Sequence, residues 1–284
     1  MSATRKGEPP LMPRKLFCEI SPFTYKISTF KCRAIRNIQD LFVGRHFSKI
    51  KQEELLPIVI YKHNSLIRRK LGNTQMELQE NKAVNLSLSA PNINGILIRP
   101  GETFSFWHLV GNTTKTKGYR EGVTISNAQT KAGIGGGLCQ FTNLIHWMIL
   151  HTPLTIIEHH HHDGIDLFPD YNRQVPFGTG TSIAYNYLDY RFKNESNITY
   201  QLITYVTDTH LCGELRASDN LPIKYHIKTE NEHFVRVNNT IYRRGQVYRT
   251  CIDKTTGNEL FRELIRDNNA RVMYDASHLV VEST

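Results

Sequence analysis

From Leu138 onward the apolar residues Leu138, Phe141, Leu144, Ile145 and Met148 recur at helical spacing, and Pro153 forces a stop soon after His151. A glycine run, Gly135 to Gly137, precedes them, so a turn feeds a helix that begins at about Leu138. Between Leu11 and about Leu71 the pattern predicts helical stretches, "CRAIRNIQDLFVGRHFSKI" and then, after Pro57, "LPIVIYKHNSLIRRKLG", closed by Gly72 and Asn73. The stretch "MELQENKAVNLSLSAPNINGILIRPGETFSFWHLVG" predicts a helix ending near Ala90 and Pro91, a strand at Gly95 to Ile98 and a turn at Pro100 and Gly101. Beyond Thr152, "SIAYNYLDYRFKN" and "ITYQLITYVT" alternate apolar and polar residues and read as strands. "EHFVRVNNTIYRRGQVYRT" adds a hairpin whose turn lies in "VNNTIY". No segment repeats at a fixed period, which excludes solenoids and propellers. Helices early and strands late predict the α+β class in three parts: a basic, mostly helical region over 1–74, a central mixed domain over 75–215 with a Cys-bearing helix on antiparallel strands, and a β-rich extension over 216–284.

At 284 residues, 39% hydrophobic and 21% charged, the chain has the composition of a globular protein with a proper core. A net charge of +9 implies attraction to polyanions: nucleic acid, acidic lipid headgroups or anionic wall polymers. Nucleic acid is disfavoured, because neither zinc-finger spacing nor an aromatic RNA-binding signature is present. Much of the excess sits early, where Arg5, Lys6, Arg14, Lys15, Lys26, Lys31, Arg33, Arg36, Arg45, Lys49 and Lys51 face only Glu8, Glu19 and Asp40. That text reads as a solvated basic face or as a surface for an anionic membrane or wall polymer. The longest apolar runs fall far short of the ~20 residues of a membrane-spanning helix. Residues 1 to 10 read as a loose tail, and the N-terminus has no apolar segment behind its basic residues, so the expected compartment is the cytoplasm, at most peripheral to the membrane. Cys18, Cys32, Cys139, Cys212 and Cys251 are scattered and odd in number, which fits a reducing compartment. No cofactor is expected, and Cys212 and Cys251 read as structural.

The chemistry gathers at Cys139. In the first turn of a helix, unpaired amides and the positive end of the helix dipole favour a thiolate, and a lowered thiol pKa is what a cysteine nucleophile needs. Gly135, Gly136 and Gly137 would allow close approach of substrate and offer amides to an oxyanion. The alternative is a small buried hydrophobe. A base is the next requirement. His146 lies seven residues on, ~10 Å along the axis and out of reach. "LTIIEHHHH" is β-like, and if it doubles back along the helix at ~3.3 Å per residue it regains the level of Cys139 near His159 to His162. Strand alternation then places His160 and His162 on one face and His159 and His161 on the other. The same run also reads as a solvated turn beside Asp163 and Gly164, or as a transition-metal site completed by Glu158, Asp163 or Cys139.

"INGILIRPGETFSFWHLVG", "GGGLCQFTNL" and "HTPLTIIEHHHH", followed by "VPFGTGTSIAYNYLDYRFKN", resemble in that order the VanW family, in the short form associated with B-type vancomycin resistance. The resemblance is strong over about 75–215 and extends plausibly over the whole chain. It implies a role in bacterial cell-wall metabolism or glycopeptide resistance. Some membrane-anchored multidomain members are regarded as peptidoglycan transpeptidases that form L,D cross-links through the motif cysteine. Carried onto this chain, the resemblance makes Cys139 the nucleophile with Gln140 its motif neighbour and Gly135 to Gly137 the turn. His160 and His162 match the two histidines of the family's Glu-Arg-His-x-His segment. Thr142 and Gln140 join the glycines as expected substrate or oxyanion contacts. The chain departs from the pattern at His159, where the family has Arg, at Gly180, where many members have Asp, and at Thr142 and Asn143, which replace Ser-Thr.

The expected function is therefore cysteine-dependent acyl transfer on a peptidoglycan stem peptide or wall precursor. Two other readings stand beside it: a non-enzymatic accessory protein that binds an anionic wall precursor or a protein partner, and a metal protein using His159 to His162.

Overall fold

The computed structural model describes residues 16–68, 76–126, 129–162, 164–169, 174–277 and 279–283. The chain divides into two units, one ending at Gly44 and one running from Arg45 to the end. In the first, a short 3-10 turn precedes α1 (Pro22–Phe42). Ser21 caps α1 by accepting the Thr24 amide at 3.2 Å while its own amide donates to the Thr24 hydroxyl at 2.9 Å. Pro22 stands at the first helical position, where its missing N–H costs nothing. The helix starts well before the "CRAIRNIQDLF" text in which the spacing first shows.

The second unit holds β1 (Ile58–Leu66), α2 (Met76–Ile93), β2 (Ile96–Ile98), β3 (Thr103–Ser105), α3 (Phe106–Val110), β4 (Glu121–Ser126), β5 (Gln129–Ile134), α4 (Cys139–Ile149), β6 (Thr155–Glu158) and β7 (Ile165–Asp166). After these come β8 (Arg191–Lys193), β9 (Tyr200–Val206), β10 (His210–Ala217), β11 (Ile223–Val237), β12 (Thr240–Asp253), β13 (Glu259–Val272) and β14 (Val281–Ser283). The architecture is α+β with a β-rich C-terminal part. The helix expected after Pro57 is corrected: "IVIYKHNSL" is strand β1, antiparallel to β10 with Lys62 opposite Glu214 and Asn64 opposite Cys212. Its β-branched and aromatic residues fit a half-buried pleat, and its partner lies about 150 residues further on. Gly72 and Asn73 lie outside the described residues.

The core sheet runs β1-β10-β9-β2. Helix α4 presses on β10 at Gly213, where a Cβ would stand 2.7 Å from Met148 Cε and 2.8 Å from Leu144 Cδ2. Buried Phe104, Phe106, Phe141, Tyr190, Phe192 and Tyr200 fill the space around α4, with Phe104 and Phe192 stacked at 4.6 Å. A smaller sheet, β3-β8-β6, carries the chain into the histidine run. The C-terminal sheet, β14-β11-β12-β13-β7, is a long ribbon. Its first hairpin turns on Asn238 and Asn239, both at positive φ (46° and 64°), as a two-residue type I′ turn requires. Parallel pairing of β7 with β13 brings residues 164–168, which follow the histidine run, against this ribbon. Cys212 and Cys251 are buried.

Candidate functional site

The glycine turn is built by close backbone approach. Gly135 and Gly137 have φ of +73° and +90°, in the left-handed region. A Cβ on Gly136 would lie 2.2 Å from the Gly122 carbonyl, and one on Gly137 would lie 2.3 Å from Lys82 Cγ. Buried Asn85 ties the turn to β4: its Nδ2 donates to the carbonyls of Arg120 (3.0 Å) and Gly136 (2.9 Å), and its Oδ1 accepts from the Arg120 amide (2.8 Å). The oxyanion role expected of Gly135 and Gly136 needs correction, because their amides donate to the carbonyls of Arg120 and Gly133, each at 3.0 Å. Close packing by itself accounts for glycine at these positions.

Cys139 opens α4 as predicted. The amides of Gln140, Phe141 and Thr142 are taken by the carbonyls of Gly137 and Leu138. Gln140 is not among the residues lining the pocket: its Nε2 donates to Ser65 Oγ (2.8 Å) and to the Leu66 carbonyl (2.9 Å), pinning the helix start to β1. Thr142 is fully buried, with its hydroxyl on the Cys139 carbonyl and on the Thr181 hydroxyl. Both residues place Cys139 rather than touch what lies before it. The lowered thiol pKa is also corrected. Burial raises the Cys139 thiol above its ordinary value, against the opposing pull of the Ile183 and Cys139 amides.

The histidine run does return along α4. His159 lies over His146, with ring centroids 4.1 Å apart, and His161 packs on His159 at 4.0 Å. His146 itself is buried, bonded through Nδ1 to the Tyr190 hydroxyl at 3.0 Å, and burial holds its pKa well below the usual histidine value. His159 Nε2 donates to the Gly180 carbonyl at 3.0 Å, so these two departures from the family pattern meet each other. His160 turns to Glu158, with Nε2 2.9 Å from Oε1, and is not among the residues lining the pocket before Cys139. His161 and His162 both line it. The expected alternation fails because β6 ends at Glu158, with its register shifted between Ile156 and Glu158, so residues 159–162 are not a pleated strand.

Behind His160 lies a buried carboxylate that sequence reasoning missed. Asp189 accepts from Ser105 Oγ (2.5 Å), the Trp107 and Tyr190 amides (3.1 and 2.8 Å) and Arg191 Nε (2.7 Å). Its own amide donates to Glu158 Oε1 at 2.8 Å.

The pocket encloses about 420 Å³. Its lining includes Cys139, Asn143, Thr181, His161 and His162 together with Phe177 and Arg266 to Ala270 of β13. Asn143 Oδ1 accepts from the Thr181 amide at 2.6 Å, which holds the 180s loop against α4. Gly178 admits Asn268, whose Oδ1 would lie 2.0 Å from a Cβ there, and Asn268 Nδ2 donates to the Phe177 carbonyl at 3.0 Å. Asp166 in the pocket wall accepts from the Tyr274 hydroxyl at 3.0 Å and pairs with Arg243 at 3.4 Å. The C-terminal ribbon, whose sequence shows no chemistry, thus contributes to the lining of the cysteine pocket. Nothing in its alternating text marks residues 266 to 270 for that role. Among the described residues no group of three His, Cys, Asp or Glu side chains converges as a metal site would need, and Asp163 lies outside them.

The family model described as "VanW like protein" matches residues 81–216. The chain is 33% identical over 233 residues to the vancomycin B-type resistance protein VanW of Enterococcus faecalis, covering 82% of this chain and 84% of that one. It is also 31% identical over 121 residues to the uncharacterized protein YoaR of Bacillus subtilis, covering 42% of this chain and 37% of that one. No solved structure matches it. The glycine turn, the cysteine at the head of α4 and the histidine run that returns to it all lie within the matched stretch, and the chain belongs to the VanW family.

Proposed function

We propose that the protein serves glycopeptide resistance or wall metabolism by cysteine-dependent acyl transfer on a wall peptide, with Cys139 as nucleophile and His162 or His161 as its base. The observation that carries this reading is that the thiol and both imidazoles line one pocket of about 420 Å³, roomy enough for a short peptide segment. Because burial favours the protonated thiol, the reading calls for a base at the moment of attack. The imidazole takes the Sγ proton as the sulfur attacks the peptide carbonyl. The S–C bond forms, the C–N bond to the terminal residue breaks, and the proton passes to the departing amine. A second amine then attacks the thioester, its proton returns through the imidazole, and Cys139 is released as the thiol. The relative's printed association with vancomycin resistance and the family motif support the choice of substrate.

A non-enzymatic binding role is favoured by two observations: the raised thiol, and the engagement of the Gly135 and Gly136 amides within the fold. The deciding experiment incubates the protein and its Cys139→Ala variant with stem tetrapeptides and pentapeptides plus an acceptor amine, followed by mass spectrometry and calorimetry. Acyl transfer that disappears in the variant establishes the enzyme. Binding in both without turnover establishes the binder, and turnover that persists in the variant removes Cys139 from the chemistry.

A further inference from the structure

We propose that α1 is an interfacial helix that lays one face into an anionic lipid bilayer and holds the protein at the membrane surface. The helix is 21 residues long and buries none of them. At 100° per residue, Phe23, Ile27, Phe30, Ala34, Ile38 and Leu41 form one continuous line, and Ile35 and Phe42 widen it to an arc of about 140°. These are large side chains left in water: Phe23 is 70% exposed, Phe30 73%, Leu41 80% and Phe42 84%. Isolated exposed hydrophobes need no explanation, whereas a contiguous stripe of this size does. The opposite arc carries Tyr25, Cys32, Arg33, Arg36, Gln39 and Asp40.

Charge selects the occupant. Positions 1 to 51 hold eleven Lys and Arg against three acidic residues, so eight of the nine net positive charges stand there. Lys26 borders the apolar arc and Lys31 stands inside it between Ile38 and Phe42, each placed to raise its ammonium group to headgroup level while its methylenes stay with the stripe. A second copy of α1 is a poorer fit. In a parallel heptad seam through Ile27, Phe30, Ala34 and Leu41, Lys26 would face Lys31 of the other copy, and the stripe is wider than such a seam. A soluble anionic polymer would answer the charge and leave the phenylalanines in water. No helix among the described residues is long and apolar enough to cross a membrane, so α1 would lie in the interface plane over about 31 Å.

The test is co-sedimentation of the full chain with vesicles of phosphatidylglycerol and phosphatidylcholine, against phosphatidylcholine alone, at low and high salt. The comparison proteins are Phe23→Ser/Phe30→Ser/Leu41→Ser and Lys26→Glu/Arg33→Glu. The wild type should partition to the anionic vesicles at least about tenfold better than to the neutral ones, less so at high salt. Each variant should lose at least about tenfold, with the urea midpoint of the second unit unchanged. Failure of the wild type to sediment, or full retention by the serine variant, overturns the proposal. So does a concentration-dependent dimer without lipid that the serine variant abolishes, which would assign the face to a second copy.

Discussion

Acidification from pH 7 to 4.5 should destabilise the second unit mainly through histidines it buries as neutral rings. His151 is stacked on Tyr61 at 3.8 Å and packed edge-on to Trp147 at 4.8 Å, with its Nδ1 donating to the Trp147 carbonyl at 2.8 Å. Burial, helped by the positive charge of Arg249, lowers its pKa from 6.5 to about 4. Above pH 6.5 the ring is neutral whether the chain is folded or unfolded, and the shift has no effect on stability. Below that value the unfolded chain takes up the proton first, so stability falls until the folded pKa is passed. At 1.36 kcal/mol per pKa unit the loss from His151 at pH 4.5 is about 2 to 3 kcal/mol. His146, also held well below the usual value by burial, adds to the loss in the same direction. Urea unfolding followed by Trp107 and Trp147 fluorescence, at half-unit pH steps, measures it. His151→Phe keeps a ring on Tyr61 without the proton site, so it should remove most of the His151 share of the slope. Equal slopes in the variant and the wild type would refute the assignment.

With the other four cysteines changed to serine, Cys139 should alkylate slowly at pH 7, and its apparent pKa should lie above the ordinary thiol value. A midpoint below about 8.5 would contradict the burial argument. Gly137→Ala should cost more than about 2 kcal/mol, since it adds left-handed strain and a Cβ 2.3 Å from Lys82 Cγ. Gly101→Ala, also at positive φ but with nothing within 4 Å, should cost only about 1 kcal/mol, so equal urea midpoints for the two would show that packing at Gly137 is irrelevant. Asp189→Ala should cost about 3 to 5 kcal/mol by leaving Arg191 buried beside too few acceptors, and a variant with the wild-type melting temperature would mean that the carboxylate is dispensable.

Local signals were legible in the sequence. The start of α4 followed from apolar spacing after a glycine run, the ribbon hairpin from its Asn-Asn pair, and the return of the histidines from the stop at Pro153. What depended on distant partners was not. "IVIYKHNSL" contains residues that suit either element, and only pairing with β10 makes it a strand. The glycines were visible, but the backbone of Gly122 that demands one of them is 14 positions away. A period-two argument carried past the end of β6 pairs His160 with His162, whereas His161 and His162 line the pocket with Cys139. The resemblance makes Gln140 and Thr142 expected substrate or oxyanion contacts. Their side chains bond to Ser65 and Thr181, which the sequence could not place beside them.

The wall supplied by β13 has a consequence for the life of the chain on the ribosome. Cys139 emerges more than a hundred residues before Asn268, and the matched family stretch ends at residue 216, before that wall is made. In a nascent or truncated chain that ends before β13, the pocket before the thiol therefore lacks the lining from Arg266 to Ala270. Completion of the pocket waits for almost the last strand, a long-range closure of the kind that slows folding. The matched stretch carries Cys139 and the histidine run, and the late segment completes the lining of the pocket before them. Changes in the ribbon would thus alter the lining of this pocket without touching Cys139 or the histidines.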